Sequence, residues 1–467
     1  MATEEVVKVI QKGGIPVLSW RKGAQGRGSS LVVEDVKEGA VNYIAVSHVW
    51  ADGLGNPHEN SLPICQLDRI QAAIDAVLPE AENFPARFWM DTLCIPVADE
   101  HKSLRKASIK MMRQIYRHAE AVLIFDSGLQ RLSLSATVNE KSIALYMSNW
   151  LHRLWTFQEG MLAKAMYFQL KESSLCEGDL DKAEAEEQKV NKEKGLYGSF
   201  LFSARGAATG HFIILRDFVD MKLAEDAVLF PPLCHAVQQR STTRISDETI
   251  CAATILEMNM DDILAVETRD VPDEIVAETR MEIFLKQIGE FAPAIIFHHQ
   301  KCLQREGYRW APKTLMGAAQ NDFIRGITEK LSSFKGKGLR VRYPGLVFQS
   351  VPQGSEKEIT VVMKHNEHRF RLRLFPEDAD ALPLWDPTAV YAVIMFEAIS
   401  ARYPTGTDVI VGILKDYATL QRGARLDIRR EHRAWLEPVG LAVLGGAESQ
   451  GSVVAEMLSG SQRWRVL

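Results

Sequence analysis

Tyr43–Pro57 reads YIAVSHVWADGLGNP. Its first part, YIAV, is apolar and β-favouring without helical spacing, the pattern of a strand buried on both faces. Its last part is a glycine loop. At the join stand Ser47, His48, Trp50 and Asp52. Three more short apolar runs follow: RFWMDTLCI, AVLIFD and AMYFQL. Between the four runs lie CQLDRIQAAIDAVL, KSLRKASIKMMRQIYRHA and KSIALYMSNWLHRLWTFQEGMLAK, each with apolar residues near helical spacing. Strands alternating with helices from about Val41 to Leu170 predict a parallel α/β sheet.

In such a sheet, ligands bind beyond the carboxyl ends of the strands, at a topological switch point. The alternation sets Ser47–Asp52 at the end of the first strand. Asp91 and Cys94 fall at the end of the second, and Asp126 at the end of the third. Gly53 and Gly55 either let backbone N–H groups approach an anion or serve a turn that needs positive φ. Asp91 is either a ligand contact or a turn residue. On a continuous helix, Leu151, Leu154, Trp155, Met161 and Leu162 share an arc that includes Gln158. Glu159 falls at its edge, beside Trp155 and on the side of His152. There it is either a partly desolvated carboxylate with a raised pKa or half of a salt bridge to Arg153 or Arg117. Cys94, in the apolar context TLCIP, reads as a buried thiol, with a Cys94–His48 nucleophile as the alternative. Trp89, Trp150 and Trp155 read as core aromatics.

Outside this region the pattern changes twice. Residues 1–40 form an extension with two candidate edge strands, IPVLSW and SLVVEDV. The α/β region spans 41–175. The charged stretch 171–195 reads as a solvated linker or surface helix. Residues 176–333 read as mainly helical. From 334 to 467, LRVRYPGLVFQSV, EITVVMKH, HRFRLRLF, AVYAVIMFEA, DVIVGILKDY and ARLDIRREHRAWLEPV read as strands of a β-rich domain. RLDIRREHR is basic, and its alternation reads as one solvated face of a strand.

At 467 residues, several domains are expected. Hydrophobic residues at 46% and charged residues at 25% suit a folded globular chain. The net charge of −5, with both signs interleaved, gives no drive toward nucleic acid, and none is expected as a partner. Cysteines 65, 94, 176, 234, 251 and 302 form no Cys-x-x-Cys pair. That argues against a zinc site or a disulfide framework and fits a reducing compartment. MATEEVVKVIQKGG has no apolar signal core, and the run near Ala389–Ile399 is too short to span a bilayer. A cytoplasmic protein without a membrane span is expected.

YIAVSHVW, FWMDTLCI, IYRHAEAVLIF and LHRLWTFQEGMLA resemble, in order, the successive blocks of the heterokaryon-incompatibility (HET) domain. RISDETICAATIL and GYRWAPKTLM resemble segments downstream in some HET proteins. Ala51 departs from the family's usual glycine, and Pro96-Val97 from its usual polar pair. HET domains are associated with fungal non-self recognition and induced cell death. They are similar in fold to Toll/interleukin-receptor (TIR) domains, flavodoxin-like sheets that serve as assembly modules or as NAD hydrolases of innate immunity. By that likeness Glu159 matches the TIR catalytic glutamate, with Asp91 as a second catalytic carboxylate. Ser47, His48, Trp50, Asp52, Gly53, Gly55 and Trp155 are then the substrate-binding residues. The resemblance implies NAD or a related nucleotide as substrate, no bound cofactor or metal, and self-association or a signalling partner. A non-enzymatic HET module that oligomerises or recruits partners is the alternative.

Overall fold

The computed structural model describes residues 2–23, 28–36, 42–78, 85–193, 230–317, 330–349, 351, 358–364, 369–375, 385–386, 388–396, 407–415, 425–438, 452–458 and 462–467. They fall in two compact units: residues up to 193 with 239–265, and residues 230–238 with 266–467.

The first unit opens with helix α1 (Ala2–Gln11) and the hairpin β1 (Ile15–Arg21) and β2 (Ser30–Val36). The α/β alternation follows: β3 (Ile44–His48), α2 (Ile64–Val77), β4 (Phe88–Met90), α3 (Asp91–Cys94), α4 (Lys102–His118), β5 (Ala121–Phe125), α5 (Val138–Tyr146), α6 (Asn149–His152), α7 (Leu154–Leu162) and β6 (Met166–Gln169). β7 (Ser174–Cys176) and the surface helix α8 (Glu177–Glu193) occupy the charged stretch. Sheet order is β2-β1-β4-β3-β5-β6-β7. The four middle strands are parallel. Both edges are antiparallel, so the sheet is mixed.

Every residue of β3, β4 and β5 is buried, which is why these strands read as unbroken apolar runs. The parallel strands follow the order 2-1-3-4, so the connections leave β3 and β5 toward opposite sides. The crevice of a doubly wound sheet opens at that point, beyond Ser47-His48 and Asp126. α4 turns Ser108, Met112, Ile115 and Tyr116 inward at helical spacing. Tyr116 meets Trp89 edge-on at 5.5 Å.

The segment read as one continuous helix through Leu151–Leu162 is broken. Arg153 is extended (φ −85°, ψ 145°) between α6 and α7. A non-local segment holds the break open: Leu154 N donates to Ser241 O at 2.9 Å, and Ser241 N to His152 O at 2.7 Å. Arg240 lies over the Phe157 ring at 4.4 Å and donates to Arg153 O at 3.0 Å. Leu151 and His152 therefore do not share a helix with Glu159. From Thr156 to Leu162 every residue of α7 is buried, so Glu159 sits inside the fold and not at the rim of an apolar stripe.

In the second unit, helices Phe230–Val237 and Asp273–Ile288, strand β8 (Glu290–Phe291) and the turn Pro293–Phe297 come before β9 (Ser332–Ser333), which pairs antiparallel with β8, and before the β-rich region. Residues 298–317 contain no regular helix, so the mainly helical expectation holds only in part there; 199–229 and 318–329 lie outside the described residues. The strands are β10 (Leu339–Tyr343), β11 (Gly345–Gln349), β12 (Glu358–Met363), β13 (Arg369–Phe375), β14 (Val390–Met395), β15 (Thr407–Leu414), β16 (Arg425–Pro438), β17 (Ser452–Met457) and β18 (Gln462–Val466). β11, β14, β15, β16, β13, β12 and β17 pair in a closed ring. Alternate residues fill its interior, among them Phe348, Val361, Leu372, Val393 and Leu436. β18 and β10 continue from β16 as a wing beyond the barrel. The register of β16 slips where Val411 faces His432 and Gly412 faces Arg430. A bulge of this kind reverses which side of a strand faces a given layer. Ala434 and Leu436 thus point into the barrel, whereas Leu426, Ile428 and Arg430 are buried on the other face. Arg430 donates to Ile296 O at 2.8 Å there, and Phe297 meets Tyr343 of β10 at 5.1 Å.

Candidate functional site

Buried side chains at the end of β3 fasten three helices. Ser47 Oγ donates to Glu159 Oε2 on α7 and accepts from Trp150 Nε1 on α6. Tyr116 on α4 lies beside the same carboxyl and favours its ionised form, while its hydroxyl donates to Val46 O at 3.5 Å. Glu159 is only 6% exposed and has neither Arg153 nor Arg117 as an ion-pair partner among the described residues. Burial, and then the neighbouring Asp91 carboxylate, push it up to about 8 against the opposing pull of Ser47 and Tyr116. In this conformation the carboxyl keeps its proton at neutral pH. Gly160 lets Trp150 approach: a Cβ there would lie 2.9 Å from the indole.

His48 faces the next strand end. Its Nε2 lies 3.2 Å from Thr92 Oγ1 and 3.6 Å from Asp91 Oδ1. The Thr92 hydroxyl donates to Leu54 O at 2.9 Å, which leaves its oxygen to accept from His48 Nε2–H. Burial lowers the His48 pKa and outweighs Asp91, so the ring is neutral and clips β3 to α3.

Trp50 and Asp91 form the open part of the cluster. Trp50 Nε1 donates to Asp91 Oδ2 at 2.7 Å, and the indole is 40% exposed. Gly55 packs flat on that indole, where an added Cβ would sit 2.6 Å from Trp50 Cβ and Cγ. Gly53 takes φ +96° and directs its N–H to Trp50 O at 3.2 Å, so that donor closes the turn. Asp52 Oδ2 accepts from Ser127 N at 2.8 Å and ties the turn to the end of β5.

Asp126 is buried and accepts from Gly128 N at 2.8 Å, Leu129 N at 3.1 Å and Trp150 N at 3.0 Å, which seats α6. Trp155 turns elsewhere, its indole donating to Asp247 Oδ2 at 3.1 Å. Cys94 is buried, and burial pushes its thiol up to about 12, so it carries no thiolate at neutral pH.

Ser47, His48, Trp50, Asp91 and Glu159 are thus brought together at the ends of β3 and β4. Asp52, Gly53 and Gly55 shape the turn beside them. Thr92, Tyr116 and the polar role of Trp150 escaped the sequence reading. Thr92 follows Asp91 at a predicted strand end, which was the one available hint; nothing local marks the other two.

Among the described residues no helix is long and apolar enough to cross a membrane. No curated protein and no solved structure matches the chain. Residues 43–143 match the family model described as Heterokaryon incompatibility protein (HET). That span takes in Ser47, His48, Trp50, Asp52 and Asp91, and α7 with Glu159 follows it. Residues 43–143 of this chain carry a heterokaryon-incompatibility domain.

Proposed function

We propose that this HET protein, whose family suggests a role in heterokaryon incompatibility, acts there as a cell-death effector that cleaves NAD at the nicotinamide–ribose bond. The observation that carries the reading is the pairing of an exposed indole and a half-buried carboxylate, Trp50 and Asp91, with a second carboxyl, Glu159, close enough for Asp91 to raise its pKa. The C1′–N bond breaks with its electron pair going to nicotinamide. Water adds to the ribosyl cation and releases a proton, giving ADP-ribose. The leaving group is already cationic and needs no general acid, so the carboxylates serve to stabilise the oxocarbenium-like state. Trp50 stacks on a planar ring and Asp91 holds the ribose. Glu159 acts when ionised. A cationic ring brought to the rim opposes both causes that keep its proton on.

The test is nicotinamide release by the purified full chain, concentrated enough to self-associate. Turnover that is lost in Glu159→Ala and Asp91→Ala supports the reading. Unchanged turnover in Glu159→Ala removes that residue from the chemistry.

One observation favours a second reading, a non-enzymatic signalling module. Glu159 is buried, and Ser47 and Tyr116 already occupy it, as befits a fastener of α7 to β3. Intact NAD in a preparation that still self-associates supports the module.

A further inference from the structure

The basic stretch in β16 takes no part in the site above, and the wing beside it gathers more arginine. In β10 and β18 the residues opposite the buried face are Arg340, Arg342, Arg463 and Arg465. Their register puts like against like: Arg340 pairs with Arg465 and Arg342 with Arg463. Next to them, Arg425 of β16 is in register with Arg463, and Asp427 with Arg465. Like charges directly opposite on a sheet weaken it. Elsewhere the unit relieves such crowding: Arg371 and Arg373 of β13 share Glu358. On the wing only Arg465 is relieved, by its ion pair with Asp427. Arg340, Arg342 and Arg463 are exposed and form no ion pair with the described residues. Lys335 and Lys337, both exposed, lead into β10.

We propose that the wing formed by β10 and β18 is a docking surface for the phosphodiester backbone of nucleic acid. Side chains on one face of a strand recur at about 7 Å, and those directly opposite on the neighbouring strand lie about 5 Å away. Arg340, Arg342 and Arg463 therefore stand close together with guanidinium forks free of ion pairs among the described residues, a group whose geometry matches phosphate oxygens two at a time, while Arg465 is held by Asp427. Among the described residues of β10 and β18 the arginine face offers no aromatic ring for base stacking, because Trp464 points to the buried side. Recognition is accordingly of the backbone and independent of sequence. The net charge of −5 conceals this face because it averages over both units.

The test is fluorescence anisotropy of labelled mixed-sequence DNA, single-stranded and duplex, with the full chain at 50 and 200 mM salt. Three unrelieved arginines on phosphates predict a roughly 20- to 40-fold loss of affinity between the two salts. Arg342→Glu/Arg463→Glu lowers affinity more than tenfold at 50 mM salt. Arg269→Glu/Lys286→Glu, an equal charge change at exposed positions elsewhere in the unit, leaves it within twofold. Thermal melts of both variants show that each is folded. Absence of binding at 50 mM salt overturns the proposal. So does equal weakening by both variants, which marks general charge attraction. Capture of polyglutamate with no capture of DNA also overturns it, in favour of an acidic protein partner.

Discussion

Ser47 on β3 and Glu159 on α7, 112 positions apart, share a buried hydrogen bond at the end of the parallel sheet. It joins the first strand of the HET domain to a helix beyond the matched span. Asp91, on the next strand end, acts on the same carboxyl through space. Stability and the proposed chemistry therefore meet in one titrating group.

Glu159 makes stability depend on pH. Its folded value of about 8 lies above the ordinary 4.5, so the folded chain holds an extra proton between those values. The stability that this proton brings is complete below pH 4.5 and is lost as pH rises through 8. Glu159→Gln keeps an acceptor for Ser47 and does not titrate. Urea unfolding of both proteins from pH 5 to pH 9 is expected to show the native protein losing on the order of 4 kcal/mol relative to the variant. Parallel curves would mean that the carboxyl is already ionised at pH 5.

The same group sets a pH profile for the proposed NAD cleavage. If ionised Glu159 is the working form, nicotinamide release at low NAD concentration rises about tenfold per unit below pH 8 and levels above it. A profile flat from pH 6 to pH 9 would point to Asp91 alone.

Cys94 is expected to be inert. Iodoacetamide at pH 7.4, read by peptide mass spectrometry, labels the exposed Cys65 and spares Cys94 until the chain is unfolded. Rapid native labelling of Cys94 would revive the cysteine-nucleophile alternative.

Trp50 depends on Gly55 for its place. Gly55→Ala pushes a methyl group into the indole and is expected to cost about 1–3 kcal/mol in urea unfolding. It should also slow any Trp50-dependent turnover. A variant as stable as the parent would mean that the loop yields freely.

Leu372 fills the barrel interior and is fully buried. Leu372→Ala is expected to cost about 2–5 kcal/mol. A loss below 1 kcal/mol would indicate that the barrel collapses around the gap.

The strands were legible because each carries its own burial pattern. YIAV and AVLIF are buried on both faces, while LRVRY and RFRLRLF alternate, and period alone separates the two classes. Alternation of strands with helices then placed Ser47, His48 and Asp91 at strand ends, since topology follows from element order. The break at Arg153 could not be read, because helical spacing runs through it and the cause is pairing with Ser241.

By itself, then, the sequence determined which segments are strands, which polar residues end them, and which family the first domain belongs to. These are local properties of residue type and order. Only the tertiary structure decided that Glu159 meets Ser47 rather than an arginine, that Trp50 leans on Asp91, and that a bulge in β16 sends Ala434 and Leu436 into the barrel and Leu426, Ile428 and Arg430 to its other face. Those outcomes depend on contacts between distant segments, whose burial and register no local spacing encodes.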